Sequence, residues 1–130
     1  MSQAPKKQKL LSSFQHAVQG LAASCKTERN LRIHLSAAGL VILFGCILRI
    51  NATEWCICIL LFALVIGAEL INTALEALVD LVRPEIHPKA KRAKDTAAAA
   101  VLICALAAVA VGMIIFLPKL IQLVVPAGIA

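Results

Sequence analysis

The sequence predicts an all-α integral-membrane fold: three transmembrane helices and an N-terminal amphipathic surface helix in a single membrane domain, residues 1–130. Three observations lead there. Of the 130 residues 61% are hydrophobic and only 15% charged, against about 45–50% and about 25% in a soluble domain. Three long segments are nearly free of charge, and a fourth carries apolar residues at helical spacing. A chain this short cannot hide so much apolar surface beneath a water-facing shell. The composition therefore argues against a soluble globular domain and against disorder, and a lipid bilayer is its natural solvent.

The first element is residues 7–26. Leu10, Leu11, Phe14, Ala17, Val18, Leu21 and Ala22 recur at helical spacing, and Lys7, Lys9, Gln15, Gln19 and Lys26 are among the residues between them. That is the pattern of a helix lying on the membrane surface, although a peripheral helix packed on protein has it too. No cleavable signal peptide is expected, because Ser12, Ser13, Gln15 and His16 interrupt the stretch that follows the basic start.

The first span covers residues 29–50, with no Asp, Glu, Lys or Arg in 33–48. A crossing needs about 20 residues, so this span, with its uncharged part confined to 33–48, is marginal. Asn51-Ala52-Thr53-Glu54 forms the next turn. Thr53 is the expected N-cap of a helix opening with Glu54, and Trp55 would lie at the interface. The second span, 54–82, is apolar over 55–79 except chiefly for Glu69, Asn72 and Glu76. A basic loop at 83–94 precedes the third span, 95–118, which is uncharged over 96–118. Gly39, Gly45, Gly67 and Ala97–Ala100 suit close helix contacts. The five cysteines include no CxxC pair, and Cys56 and Cys58 lack the partners of a zinc site, so they read as small apolar fillers.

Charge sets the orientation. The net charge is +6, and basic residues flanking apolar segments point to anionic lipid headgroups rather than nucleic acid. The N-terminal region holds six Lys and Arg, Lys6 through Arg32, and 83–94 holds five, against Arg49 in the 49–54 turn and Lys119 in the tail. The positive-inside rule then places the N-terminus and the 83–94 loop in the cytoplasm, and the 49–54 turn and C-terminus outside.

Glu69, Asn72, Glu76 and Asp80 are the informative polar residues. At about 100° per residue they fall at roughly 0°, −60°, −20° and +20°, one narrow face of the second span. Asp80 is nearest the cytoplasmic end and Glu69 deepest, about 16 Å away along the axis. Intramembrane carboxylates are costly, so the face reads as a cation or catalytic site turned to the bundle interior, with a structural polar network between helices as the plainer alternative. Such a ladder could hold a divalent cation near the interface. Mg²⁺ takes one or two carboxylates and keeps phosphate and water as its other ligands.

The neighbouring cytoplasmic residues suit phosphate. Glu28-Arg29-Asn30 precedes the first span, and Glu85-Ile86-His87-Pro88 leads into Lys89, Lys91, Arg92, Lys94 and Asp95. A basic loop is by itself a topology signal. Beside a carboxylate cluster it can bind a nucleotide–Mg²⁺ complex. No P-loop or protein-kinase glycine loop is present, so any nucleotide site is of another kind. His34 reads as interfacial, and His16 on the surface helix could stack on a base. A non-enzymatic ion or proton conductor is the rival reading, because intramembrane carboxylates also mark ion paths. Lys94, Asp95 and Glu28, which a conductor does not need, separate the two.

Glu69-Leu-Ile-Asn-Thr-Ala-Leu-Glu76-Ala-Leu-Val-Asp80, followed by His87-Pro88, Ala90-Lys91 and Ala93-Lys94-Asp95, resembles the bacterial diacylglycerol kinase family of small membrane lipid kinases. Glu28-Arg29-Asn30 with His34 matches the same family. That triplet and the ending Gly112-Met-Ile-Ile-Phe-Leu-Pro-Lys119 look like its undecaprenol kinase branch. The resemblance covers about residues 10–120. It implies a homotrimeric helical bundle in the bacterial cell membrane, with active sites shared between subunits, in which ATP donates its γ-phosphoryl group to the hydroxyl of a membrane lipid. By the same resemblance Glu69 is the catalytic base and Glu28 and Glu76 hold Mg²⁺. Glu85, Ile86, His87, Lys94 and Asp95 match nucleotide-contacting positions, and Asn72 and Asp80 match further polar site residues. His16 stands where some members carry an aromatic residue beside the nucleotide. Thr96 and Ala98 stand where some carry Met and Ser, and Ala98 falls among the lipid-substrate positions.

Overall fold

The structure, a computed structural model, describes residues 6–82, 85 and 87–124. Four helices follow one another: α1 (Lys6–Thr27), α2 (Arg29–Ile47), α3 (Ala52–Val82) and α4 (Pro88–Val124). The described residues contain no strand. Helices α2, α3 and α4 are each long and apolar enough to cross a membrane, and the chain is a multi-pass membrane protein. Helix α3 packs most extensively on α4, less on α2, while α1 makes light contact with α2 and α3.

Between α1 and α2 the chain breaks at one residue. Glu28 is extended, with φ −91° and ψ 115°. Its N–H still donates to Ser24 O at 2.8 Å, closing α1, and its carbonyl accepts from Arg32 N at 3.4 Å, opening α2. The break sets a carboxylate at the helix junction instead of letting it continue the helical surface.

The α2–α3 turn is tightly specified. Arg49 takes the left-handed conformation at φ 50°. Its N–H donates to Cys46 O, and Ile50 N–H donates to Gly45 O. Together these form a Schellman motif, which satisfies carbonyls that would otherwise be orphaned at the end of α2. Helix α3 then opens at Ala52, not at Glu54, and its cap is Asn51, not Thr53. Asn51 Oδ1 accepts from Glu54 N at 2.9 Å, and Glu54 Oε2 accepts from Asn51 N at 2.7 Å. This reciprocal pair is a capping box. It satisfies two backbone donors at once, which a lone Thr53 cap cannot do.

Trp55 is half-buried and lies over Gly45. A Cβ at position 45 would meet Trp55 Cη2 at 2.8 Å and Ile50 Cδ1 at 3.1 Å. Gly45→Val is therefore expected to destabilise the protein by about 1–3 kcal/mol through overpacking. Thermal unfolding in detergent, monitored by helical circular dichroism, checks this. Gly39→Val, at a glycine with open space around it, is the matched control.

The basic residues placed in a loop by the sequence lie largely on a helix. Helix α4 begins at Pro88, so Lys89, Lys91, Arg92 and Lys94 occupy its first turns. Proline suits the first helical position, where no N–H is needed. His87 acts as the cap, its Nδ1 accepting from Lys89 N at 3.2 Å and its carbonyl from Lys91 N at 3.0 Å. At the other end α4 continues past the expected limit of 118, through Pro118, to Val124. Bilayer-crossing helices tolerate proline where its lost hydrogen bond is locally made good.

One buried apolar cluster sits toward the end of the bundle that holds the α2–α3 turn. Ile50, Cys58 and Ile115 form it, with Val41, Trp55, Phe62, Val111 and Phe116 packed around them. At this end Lys119 and Glu54 pair at 3.3 Å, tying α4 to the start of α3. Elsewhere large apolar side chains point outward, Leu60 at 69% exposure and Ile114 at 73%. None of the five cysteines is disulfide-bonded.

Candidate active site

The site grows out of one face of α3. Its buried residues are Cys58, Val65, Glu69 and Asn72, a stripe at helical spacing. The stripe is apolar at the core end and turns polar at Glu69. Glu69 is 2% exposed and Asn72 7%. One turn on, Glu76 is half-buried, and Asp80 is exposed. The polar face therefore rises from the packed interior to the open end of the bundle.

Asn72 connects two of its members. Its Nδ2 donates to Glu76 Oε1 at 3.0 Å. A carboxylate oxygen only accepts, so this bond fixes the amide with Oδ1 turned the other way. Asn72 Oδ1 is buried and has no hydrogen-bond partner among the described residues, as is also true of Thr73 Oγ1. Buried acceptors are rarely left unpaired in a finished structure. Asn72 thus presents an acceptor ready for a donor from outside the chain.

No hydrogen bond or ion pair among the described residues engages the Glu69 carboxylate. Glu28, His34 and Glu76 lie near enough to act on it electrostatically. The break after α1 thus brings Glu28 to the same neighbourhood as Glu69 and Glu76, although residues 29–68 separate Glu28 from Glu69 in sequence. Thr27 Oγ1 donates to Glu28 Oε1 at 3.0 Å. His34, expected at the interface, lies on α2 at one end of an apolar cavity of about 240 Å³ between α2, α3 and α4.

A polar cleft of about 440 Å³ opens where α3 ends and α4 begins. Glu76, Asp80, Glu85, His87, Lys94, Asp95 and Ala98 all line it. Lys94 Nζ spans the cleft, donating to Asp80 Oδ1 at 2.8 Å and Oδ2 at 2.9 Å. It also feels the charge of Glu76. Lys91 pairs with Asp95 one turn away and lines the same cleft. Its role as a cleft cation was not separable in the sequence from the rest of the basic run. An exposed pair such as Lys94–Asp80 contributes only about 0–1 kcal/mol to stability. Its consequence is positional: an ammonium is held beside carboxylates at the mouth of the buried acid.

Not every expected residue joins the cleft. His16 is exposed on α1 and does not line it. Ile86 lies outside the described residues. Glu28 and Glu69 do not line it either, although Glu69 lies near enough to Glu76, which does, to feel its charge. Among the described residues no three His, Cys, Asp or Glu side chains converge as a metal-holding group. Glu28 and Glu76 are nevertheless two hard oxygen donors, the number that Mg²⁺ takes from protein when phosphate and water complete its shell. The donor chemistry fits.

Comparisons with known proteins give the family. A family profile described as Prokaryotic diacylglycerol kinase matches residues 15–116. The chain is 42% identical over 112 residues to the undecaprenol kinase of Bacillus subtilis (strain 168), covering 86% of this chain and 91% of that one. It is 44% identical over 117 residues to the diacylglycerol kinase of Synechocystis sp. (strain PCC 6803), covering 89% of this chain and 67% of that one. It is 33% identical over 101 residues to the diacylglycerol kinase of Escherichia coli (strain K12), covering 78% and 83%. The chain belongs to the prokaryotic diacylglycerol kinase family. It is a membrane lipid kinase, a phosphotransferase with an alcohol group as acceptor and ATP as co-substrate. Family membership selects the kinase reading over the ion conductor.

Proposed function

We propose that this kinase phosphorylates undecaprenol in preference to diacylglycerol, with Glu69 as the base and the α3–α4 cleft as the nucleotide site. The observation that carries the assignment of roles is the step along α3 from an interior carboxylate, Glu69, to a cleft holding Glu76, Asp80, Lys94 and Asp95. ATP is water-soluble and reaches the open cleft. A lipid hydroxyl stays with its chain and reaches the buried end. The two substrates thus approach one polar face from opposite sides. The preference for undecaprenol rests on the extensive match to the Bacillus subtilis relative.

In this reading Glu28 and Glu76 hold Mg²⁺, which when bound neutralises ATP phosphate charge. Lys94 adds positive charge to the phosphates. Glu69 accepts the proton of the lipid hydroxyl as its oxygen attacks the γ-phosphorus. Asn72 holds Glu76 in place through Nδ2. Phosphoryl transfer draws mostly on positioning and electrostatics, so a small scaffold suffices.

We further infer a homotrimer with sites shared between subunits, in the bacterial cell membrane. Exposed Leu10, Phe14 and Val18 on α1 support a helix lying on lipid or on a neighbouring subunit. From a neighbour, α1 would bring His16 to the nucleotide. Acceptor competition tests the substrate: purified protein offered equimolar undecaprenol and dioleoylglycerol in one vesicle preparation should label undecaprenol first. Preferential labelling of diacylglycerol would reverse the assignment.

Orientation is the prediction least dependent on family likeness. Eleven Lys and Arg flank one side of the spans against two on the other, a large margin for short loops. The Lys119–Glu54 pair unites the sparse side and Lys94–Asp80 the rich side. On a Cys-free background, Ala52→Cys should react with an impermeant thiol reagent on intact cells and Ala90→Cys should not. The reverse pattern would strand the cleft away from cytoplasmic ATP.

A further inference from the structure

The first turns of α4 carry two basic faces, and only one belongs to the cleft. At about 100° per residue, His87, Lys91, Lys94, Asp95 and Ala98 occupy one side of the helix. Lys89, Arg92, Ala93, Thr96, Ala97 and Ala100 occupy an arc of roughly 140° on the other. That second side borders its own groove of about 540 Å³ against α3, floored by Leu75, Ala93, Ala97 and Ala100 and rimmed by Lys89 and Arg92. The two rims differ in charge balance. Lys91 and Lys94 are each paired with an aspartate. Lys89 and Arg92 are exposed, neither side chain forms an ion pair among the described residues, and no acidic residue lines their groove.

We propose that this groove is a second lipid site, separate from the catalytic cleft, that takes the phosphomonoester head of a phosphorylated lipid on Lys89 and Arg92. Charge complementarity selects the head. A phosphomonoester carries about −1.5 to −2 charges near neutral pH, matching two unpaired cations, whereas a phosphodiester carries one. The floor selects the tail. Leucine and alanine side chains run from the cations toward the apolar part of both helices, as a lipid chain requires. Arginine and lysine at this depth can keep their heads at the interface while their stems lie on apolar surface. The choice of ligand rests on the lipid-kinase reading, since the reaction makes a lipid of this class. The site places that product on the opposite face of α4 from the nucleotide, where it can remain bound without blocking ATP.

The test uses the full chain in phosphatidylcholine nanodiscs. Dioleoyl phosphatidic acid is the probe, and dioleoyl phosphatidylglycerol is the singly charged comparison. Native mass spectrometry reads the lipid retained per chain. The wild type should retain phosphatidic acid in preference. Lys89→Ala combined with Arg92→Ala should weaken that retention about tenfold or more. Ala97→Leu, which fills the floor and keeps both cations, should weaken it too and guards against a misfolded double variant. Lys94→Ala should leave it in place. Equal retention of the two lipids, or a double variant that retains phosphatidic acid as the wild type does, overturns the proposal. So does loss of retention in Lys94→Ala, which would put the lipid in the catalytic cleft. Chain-to-chain cross-linking of Ala93→Cys would seat a second copy in the groove and overturn it as well. Phosphoryl transfer to a lipid alcohol is measured separately, so failure here leaves the kinase assignment standing.

Discussion

Glu69→Gln is expected to lower turnover by at least about 100-fold, the usual scale for losing a general base, while ATP–Mg²⁺ still binds. The amide keeps the shape of the side chain and removes its ability to accept a proton. Glu69 is 2% exposed and does not line the nucleotide cleft, so nucleotide affinity should be spared. Steady-state transfer of label from ATP to lipid, alongside equilibrium nucleotide binding, separates the two effects. A folded Glu69→Gln protein with near-normal turnover would remove the base assignment.

Glu76→Gln should fail differently. The glutamine retains a carbonyl oxygen that can still accept from Asn72 Nδ2, replacing the bond that Glu76 Oε1 makes at 3.0 Å. What it loses is one negative charge facing the cleft. Turnover should fall by about tenfold or more and the Mg²⁺ midpoint should move to higher concentration, because a hard-cation site loses a charged ligand. Glu28→Gln should move that midpoint in the same direction. Raised Mg²⁺ should recover part of the rate in both variants but none in Glu69→Gln. If both glutamine variants titrate with Mg²⁺ as the wild type does, these residues are not its ligands.

Membrane character and the polar face of α3 were legible because both are written in periodicity. The run of uncharged residues needs no partner to be recognised, and Glu69, Asn72, Glu76 and Asp80 fall on one face by spacing alone. The segment from His87 to Asp95 was legible as a phosphate-suited neighbour of the acid face, but singling out His87, Lys94 and Asp95 within it took likeness to a family. Local signals misled where two competed. Thr53 and Asn51 are both good N-caps, and the outcome turned on Glu54, which closes a reciprocal bond with Asn51 but not with Thr53. The basic segment after Pro88 looked like a loop because its charges hid a helix of lysine, arginine and alanine. Its division into two faces depends on which side α3 packs, and no single-residue preference encodes that. The place of His34 likewise depends on a tertiary cavity. The position of His16 relative to the cleft is not set within one chain.

In the proposed reaction a phosphoryl group passes from ATP in the α3–α4 cleft to a lipid hydroxyl at Glu69. The most direct measurement follows γ-labelled ATP supplied to purified protein in vesicles, with and without undecaprenol, and separates lipid-bound label from inorganic phosphate. Label is expected in the lipid fraction of the wild type, with ATP turnover that depends on the added alcohol and near-background transfer by Glu69→Gln. Label appearing only as inorganic phosphate, at a rate indifferent to the alcohol, would contradict it.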